Sequence, residues 1–328
     1  MSLRKLVNLG GAVALAAGLT LFTAGCQNPT PKPKKPDYSS EISAMNKAAE
    51  RLVKLQNSNG SWDWIVTNAT GPTSSTYLNI AGVTAEGLLA ADSANGNSAY
   101  LNGAEATGDY LKIKFGADGS NATLFQSGSK TNINAFNVRF LYDLGKASGD
   151  SSFTTLANNL MSKVMTAYPD PASLIAADQA ARGTGNGEGI VPWDLFLYTR
   201  NAKSAGNNSW AKSLETDLQA LSLPPSGDAT YTLGLAAESM MGNAGATQAL
   251  KANQLADGTW SDPNGKAQNT AYAAMALVKA GDTADAYKAV QSAEKHQLSN
   301  GGWTESDGTE YSEVDSEVIM ALDSYINQ

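Results

Sequence analysis

Three carboxylates are the strongest candidates for acid–base chemistry: Asp194, Asp228 and Glu313. Each lies near the start of a stretch with helical periodicity, among aromatic and amide side chains. A pair of opposed carboxylates can cleave a glycosidic bond, one protonating the leaving oxygen while the other serves as base or nucleophile. Asp194 with either Asp228 or Glu313 is the pairing the spacing allows. Residues suited to gripping a polyhydroxyl ligand recur beside them: Trp64, Tyr77, Asn134, Asn137, Trp193, Tyr231, Gln268, Tyr272 and Asp315. Aromatic rings stack on pyranose faces while amides and acids take the hydroxyls. Structural duties compete with these roles. Asp228 serves equally well as a helix N-cap, and Asn134 and Asn137 could bridge neighbouring helices.

Other chemistries lack residues. The chain has 328 residues, one Cys and one His. Cys26 and His296 are the whole supply, so an intramolecular disulfide is excluded and a Cys/His zinc centre nearly so. A Ser-His-Asp triad would have to use His296, which falls at a helix C-terminus where a cation suits the dipole. No metal ligand set is expected. Arg182 to Gly189 is glycine-rich but lacks a Lys-Ser/Thr ending and a preceding strand, so nucleotide binding is not expected. Residues 169–190 read as the one long irregular stretch, a flap over the site.

Residues 1–26 have the pattern of a targeting segment. Arg4 and Lys5 precede an apolar run from Leu6 to Phe22, and Thr23-Ala24-Gly25 places small residues before Cys26. This resembles a bacterial lipoprotein signal, with Thr23 where that family usually carries Leu. The resemblance implies cleavage before Cys26, lipidation of its thiol and anchoring in the cell envelope. Gln27, rather than Asp, after the Cys points by the same resemblance to the outer membrane. Residues 27–38 then form a tether in which Pro29, Pro31, Pro33 and Pro36 stop regular structure and favour an extended spacer. The chain from Asp37 onward holds 18 basic and 31 acidic groups, net −13. Such a surface excludes nucleic acid as an expected partner.

The elements that must position the candidates emerge from a repeat. Gln56, Gly60 and Trp62 follow the pattern Gln-x3-Gly-x-Trp, and so do Gln254, Gly258 and Trp260, and Gln297, Gly301 and Trp303. The first two motifs are 198 residues apart and the last two 43, which fits units of 40 to 50 residues. Helical periodicity predicts twelve helices, near 39–56, 79–93, 98–115, 131–147, 152–167, 189–203, 208–221, 228–241, 244–254, 267–280, 283–297 and 311–327. Odd-numbered ones are amphipathic, and several even-numbered ones are apolar nearly all round, as over Ala271–Val278. One-sided helices alternating with fully buried ones predict an outer ring wrapped on an inner ring. The expected fold is all-α, a single α6/α6 toroid over residues 39–328. Its parallel inner helices would point their positive N-terminal ends at one mouth, favouring an anionic or polyhydroxyl ligand.

On these three motifs the domain resembles the terpenoid cyclase and protein prenyltransferase toroid superfamily, whose outer helices end in such QW-type repeats. The resemblance implies that Gln caps backbone groups and Trp packs in the following loop. It does not carry the family's chemistry across. No Asp-x-Asp-Asp run of the triterpene cyclases occurs, and Cys26 lies outside the domain that would need it for a prenyltransferase zinc site. The segment Asn68-Ala69-Thr70 after the first motif, followed by a helix with Glu86, distantly resembles toroidal pectate lyases. That likeness implies an Arg base and calcium-binding acids, calcium being the one cofactor in view. The expected function is therefore a monomeric, lipid-anchored toroid that binds or processes a glycan in its mouth, as polysaccharide lyase or glycosidase. The alternatives are a non-catalytic ligand- or protein-binding toroid and an isoprenoid binder.

Overall fold

The alternation of amphipathic and all-round apolar segments becomes two concentric rings of helices in the computed structural model, which describes residues 37–126, 129–183, 192–221, 226, 230–260 and 265–328. Thirteen α-helices lie among the described residues, with isolated bridges and no strands. The outer helices are α1 (Ser39–Leu55), α3 (Ser98–Phe115), α5 (Ser151–Ala167), α8 (Asn208–Gln219), α10 (Ala244–Asn253) and α12 (Thr283–His296). The inner ones are α2 (Leu78–Asn95), α4 (Ala135–Ser148), α7 (Pro192–Ser204), α9 (Tyr231–Met240), α11 (Lys266–Lys279) and α13 (Ser312–Ile326). Inner helices pack in the cyclic order α2, α4, α7, α9, α11, α13 and back to α2. The ring is closed.

One expectation is corrected here. Residues 169–190 are not wholly irregular, because Pro171–Gly183 forms a further helix, α6, packed on α8. Pro171 stands at the first helical position, where its missing N–H costs nothing, and five alanines follow. Leu174 and Ile175 are buried, which anchors α6 as structure and removes most of the proposed flap. Residues 1–36, which hold the leader, Cys26 and most of the tether, together with Asp228 and the glycine-rich stretch after Gly183, lie outside the described residues.

The repeat residues act as staples, and all three do so identically. Gln56 donates from Nε2 to its own Gly60 carbonyl at 3.2 Å and to Gly103 of α3 at 2.8 Å. Gln254 reaches Gly258 at 3.1 Å and Asp285 of α12 at 2.9 Å. Gln297 reaches Gly301 at 2.9 Å and Ala44 of α1 at 2.7 Å. Each amide thus ties the end of one outer helix to the next outer helix. Each Trp is buried and donates its indole N–H to a carbonyl four residues before the Gln, on Leu52, Leu250 and Ala293. Gly60, Gly258 and Gly301 have φ of +86°, +88° and +100°, and a Cβ on any of them would overlap the backbone of the following outer helix. Only glycine meets both demands.

The third staple joins the last repeat to the first, and a buried ion pair reinforces that seam. Arg51 of α1 forks onto Glu310, the Nη2–Oε2 arm measuring 2.9 Å. Its remaining N–H groups donate to Ala69 and Val66 carbonyls at 3.1 and 3.2 Å. Around it, Val66 N–H donates to Glu310 and Ser312 N–H to Trp64, so Ile65 and Tyr311 form an antiparallel bridge. Inner helices are cross-linked more simply. Gly82 of α2 lets Asn137 of α4 approach closely enough to accept its N–H, and Gly87 does the same for Ser316 of α13. Removing one partner of a buried pair leaves an uncompensated charge, so Arg51→Ala should destabilise the fold by about 3–5 kcal/mol. The exposed neighbour Glu50→Ala should change it by no more than about 0.5 kcal/mol. Urea unfolding followed by circular dichroism measures both.

Candidate functional site

The bridge that seals the seam also builds the mouth. By pairing residues 64–66 with 310–312 it sets Trp64 over the first turn of α13, where the indole Nε1 donates to Glu313 Oε1 at 2.6 Å. The Trp64 ring stays 41% exposed and lies 5.3 Å from the Tyr311 ring. Tyr77 precedes α2 and is also exposed. An open aromatic surface thus roofs a carboxyl group.

Glu313 is partly buried, and that burial pushes its pKa up to about 7. The Trp64 bond opposes the shift, and the negative charges of Asp194 and Glu305 add to it. Asp194, half-buried in the first turn of α7, is thus near enough for its charge to act on Glu313. One turn deeper on α13, Glu317 is buried and accepts from the Tyr272 hydroxyl and from Gln268 Nε2 at 3.0 Å. Desolvation, with Glu313 second, holds Glu317 well above the usual carboxylate range. Glu305 caps α11, accepting from the N–H groups of Ala267 at 2.7 Å and Gln268 at 2.8 Å.

Several sequence candidates have other occupations. Asn137 is fully buried and links α4 to α2 through the Leu78 carbonyl and the Gly82 N–H. Asn134 is the N-cap of α4, accepting from Asn137 N–H and donating to the Asn79 carbonyl. Asp315 is fully buried and accepts from Trp303 N–H at 2.7 Å, a contact that orients the third staple. Trp193 is buried against Tyr272, with ring centroids 4.4 Å apart, and against Phe196. Trp193 and Tyr272 thus form the floor beneath the acids rather than an open stacking surface. Gln268 supports Glu317, and Tyr231 begins α9. His296 ends α12, where Nδ1 meets the Ser292 carbonyl at 2.8 Å. The structure brings together Trp64, Asp194, Gln268, Tyr272 and Glu313. It adds Glu305 and Glu317, of which Glu317 was detectable as the i+4 neighbour of Glu313 on one helix face.

At three of the six inner-helix N-termini a protein carboxylate lies near the positive end: Asp194 on α7, Glu305 on α11, and Glu313 and Asp315 on α13. Among the described residues, no group of three or more His, Cys, Asp or Glu is arranged to hold a metal ion.

No family model and no curated protein sequence matches the chain. Solved structures do. The unsaturated glucuronyl hydrolase of Bacillus sp. GL1, responsible for glycosaminoglycan degradation, superposes with a TM-score of 0.59 at 14% identity, covering 87% of this chain and 96% of that one. A glycosidase in complex with glucose superposes at 0.53 with 12% identity, over 88% and 97% of the two chains. The fold is an α/α toroid. At such identities the likeness concerns the scaffold, and the site rests on its own geometry.

The Trp64 bond stabilises the ionised form of Glu313, so its loss should raise the carboxyl pKa above 7. Titrating Glu313 by carboxyl-selective NMR, with Glu313→Gln to assign the signal, should give a midpoint near pH 7. Trp64→Phe should move that midpoint upward by up to about one unit, the worth of a hydrogen bond to a charged group.

Proposed function

We propose that this toroid is a glycan-active enzyme of the cell envelope that hydrolyses a glycosidic bond in its mouth. The observation behind the proposal is Glu313, a carboxyl group held near neutrality beneath an exposed Trp and within reach of the charge of a second carboxylate. A general acid works best when its pKa lies near the working pH, because it is then protonated yet willing to release the proton. Glu313 would protonate the leaving oxygen. Asp194 would act from the other side, on water or on the anomeric carbon. Trp64, Tyr311 and Tyr77 would receive sugar rings at the rim, while Gln268 and Tyr272 hold Glu317 in place. The glycosidases with the same scaffold support this reading, and lyase chemistry with an arginine base finds no arginine among these mouth residues.

A binding-only toroid is the second reading. It is favoured by Asp315, Glu317 and Glu305, whose carboxylates are already engaged in hydrogen bonds within the protein. Incubation with a panel of neutral and acidic polysaccharides, scored by new reducing ends, separates the two. Turnover by the wild-type chain, reduced about 10²–10⁴-fold in Glu313→Gln and strongly in Asp194→Asn, is the expected result. Saturable glycan binding without any release would select the second reading.

The scaffold's staples resemble those of the terpenoid cyclase and prenyltransferase toroids, and we take that resemblance to extend to architecture alone. Cys26 would carry the lipid that holds the domain at the outer membrane. Wild-type protein should then fractionate with membranes and label with palmitate, and Cys26→Ser should be soluble and unlabelled.

A further inference from the structure

The closing seam carries a second set of chemically capable residues at the end away from the mouth. Tyr325 lies in the last turn of α13, about 18 Å along the helix axis from Glu313 in the first. Its ring stacks on that of Tyr287 of α12, with centroids 5.9 Å apart and planes at 23°. The ring of Tyr38, the N-cap residue of α1, meets Tyr325 edge-on at 5.7 Å. Tyr287 is 42% exposed, and Tyr38 and Tyr325 are half-buried. Helix α1 joins the other two only because the ring closes, and the three together present an open aromatic surface.

Two carboxyl groups border it. Tyr287, Gln291 and Glu294 share one stripe of α12, and Gln291 Nε2 donates to the Tyr287 hydroxyl at 2.7 Å. Glu41, in the first turn of α1, is buried and near enough for its charge to act on both Tyr325 and Glu294. The Ser40 hydroxyl donates to Glu41 Oε2 at 3.0 Å. The Glu294 Oε1 atom is buried and has no hydrogen-bond partner. Neither acid forms an ion pair with a lysine or arginine among the described residues. The dipole of α1 accounts for Glu41, which sits at a positive helix end. It gives no account of Glu294, which stands in the last turn of α12, at the negative end that Lys295 suits. An acid at the wrong helix end, beside a second acid and with one buried oxygen unsatisfied, is costly until a cation completes it.

We propose that this cluster binds a small organic ammonium ion, its charge matched by Glu41 and Glu294 and its alkyl groups lying against the rings of Tyr38, Tyr287 and Tyr325. Aromatic faces attract a cation within about 6 Å of the ring centroid. Neighbouring centroids 5.7 and 5.9 Å apart let one cation reach two rings at once. The rings also select the kind of cation. No third His, Cys, Asp or Glu among the described residues completes a metal set with these acids. An alkylated ammonium needs no such set, because it is held by ring faces and by charge. The net charge of −13 from Asp37 onward favours cations in general, and the two unpaired acids give that preference a place. The site lies at the opposite end of α13 from the mouth acids and stands whether or not the mouth hydrolyses glycans.

Calorimetric titration of the full chain with choline, tetramethylammonium and ethanolamine chlorides, at constant ionic strength in sodium chloride, tests this. At least one should give saturable binding at concentrations on the order of 10 mM or below, the weak end of specific association. Preference for choline or tetramethylammonium would identify a quaternary ligand held mainly by the rings, and preference for ethanolamine a primary amine held mainly by the acids. Dimethylbutanol, the uncharged carbon isostere of choline, should bind at least about fivefold more weakly than choline. Tyr287→Leu and Glu294→Gln should each weaken binding by about threefold or more. Tyr287→Phe keeps the ring and should stay within about twofold of wild type, as should Glu313→Gln at the mouth. Glu294→Gln removes a charge from the wrong helix end, so it should melt no lower than wild type, and its weaker binding then reports the site and not the fold. Absence of binding by all three cations to the wild-type chain would overturn the proposal without any variant. So would equal affinity for dimethylbutanol and choline, affinity unchanged in both Tyr287→Leu and Glu294→Gln, or affinity lost in Glu313→Gln and kept in Glu294→Gln.

Discussion

The structure depends on a single directional interaction used three times: a glutamine amide that binds its own turn and the following outer helix at once. Because the same N–H₂ group donates to both carbonyls, the angle between successive hairpins is fixed at each staple. The amide of Gln297 meeting Ala44 joins the last outer helix to the first, and that contact closes the ring. The buried tryptophan beneath each staple adds apolar contact without altering the direction. Core packing then fills a ring whose curvature is already set. The buried Arg51 and Glu310 pair lies at the same seam, so a buried ion pair coincides with the joint that the chain makes between its distant parts.

The same seam explains why the mouth is chemically lopsided. Residues 64–66 and 310–312 pair only because the first and sixth hairpins meet, and that pairing delivers Trp64 to Glu313. The first and sixth units therefore supply the open aromatic rim, while α7 contributes Asp194 and α11 the polar support below. Helix N-termini make this density of acids tolerable. Each carboxylate in a first turn sits near unpaired backbone N–H groups and the positive end of its helix dipole, which partly offsets the repulsion among them.

The ring was readable in the sequence because its determinants are local. Glutamine, glycine and tryptophan at fixed spacing, three times over, and alternating one-sided and all-round apolar helices are each visible in short windows of the chain. Helix α6 escaped because an Asp-Pro start and a glycine-rich finish frame a short alanine-rich piece, and composition at both ends resembles a loop. The site was only half legible. Glu313 and Asp194 were identifiable as first-turn acids on inner helices, and Glu317 follows from helical spacing. The partnership of Trp64 with Glu313 joins residues 249 apart, and no local pattern encodes it. Side-chain direction was also hidden: Trp193, Asn137 and Asp315 have the right chemistry for a ligand, but the ring turns them into its own interior.

Closing the circle through Ala44 and Gln297 has a kinetic consequence. The contacts that complete the ring span most of the chain, so they must be made against the loop-closure entropy of nearly the whole polymer. During synthesis the first hairpin waits, with α1 lacking one of its two outer neighbours, until the sixth has been made. Until then α2 and α13 cannot meet, and the apolar flanks of both would be bare. A chain crossing a membrane in an extended state and folding afterwards would pass through that waiting stage entirely on the far side.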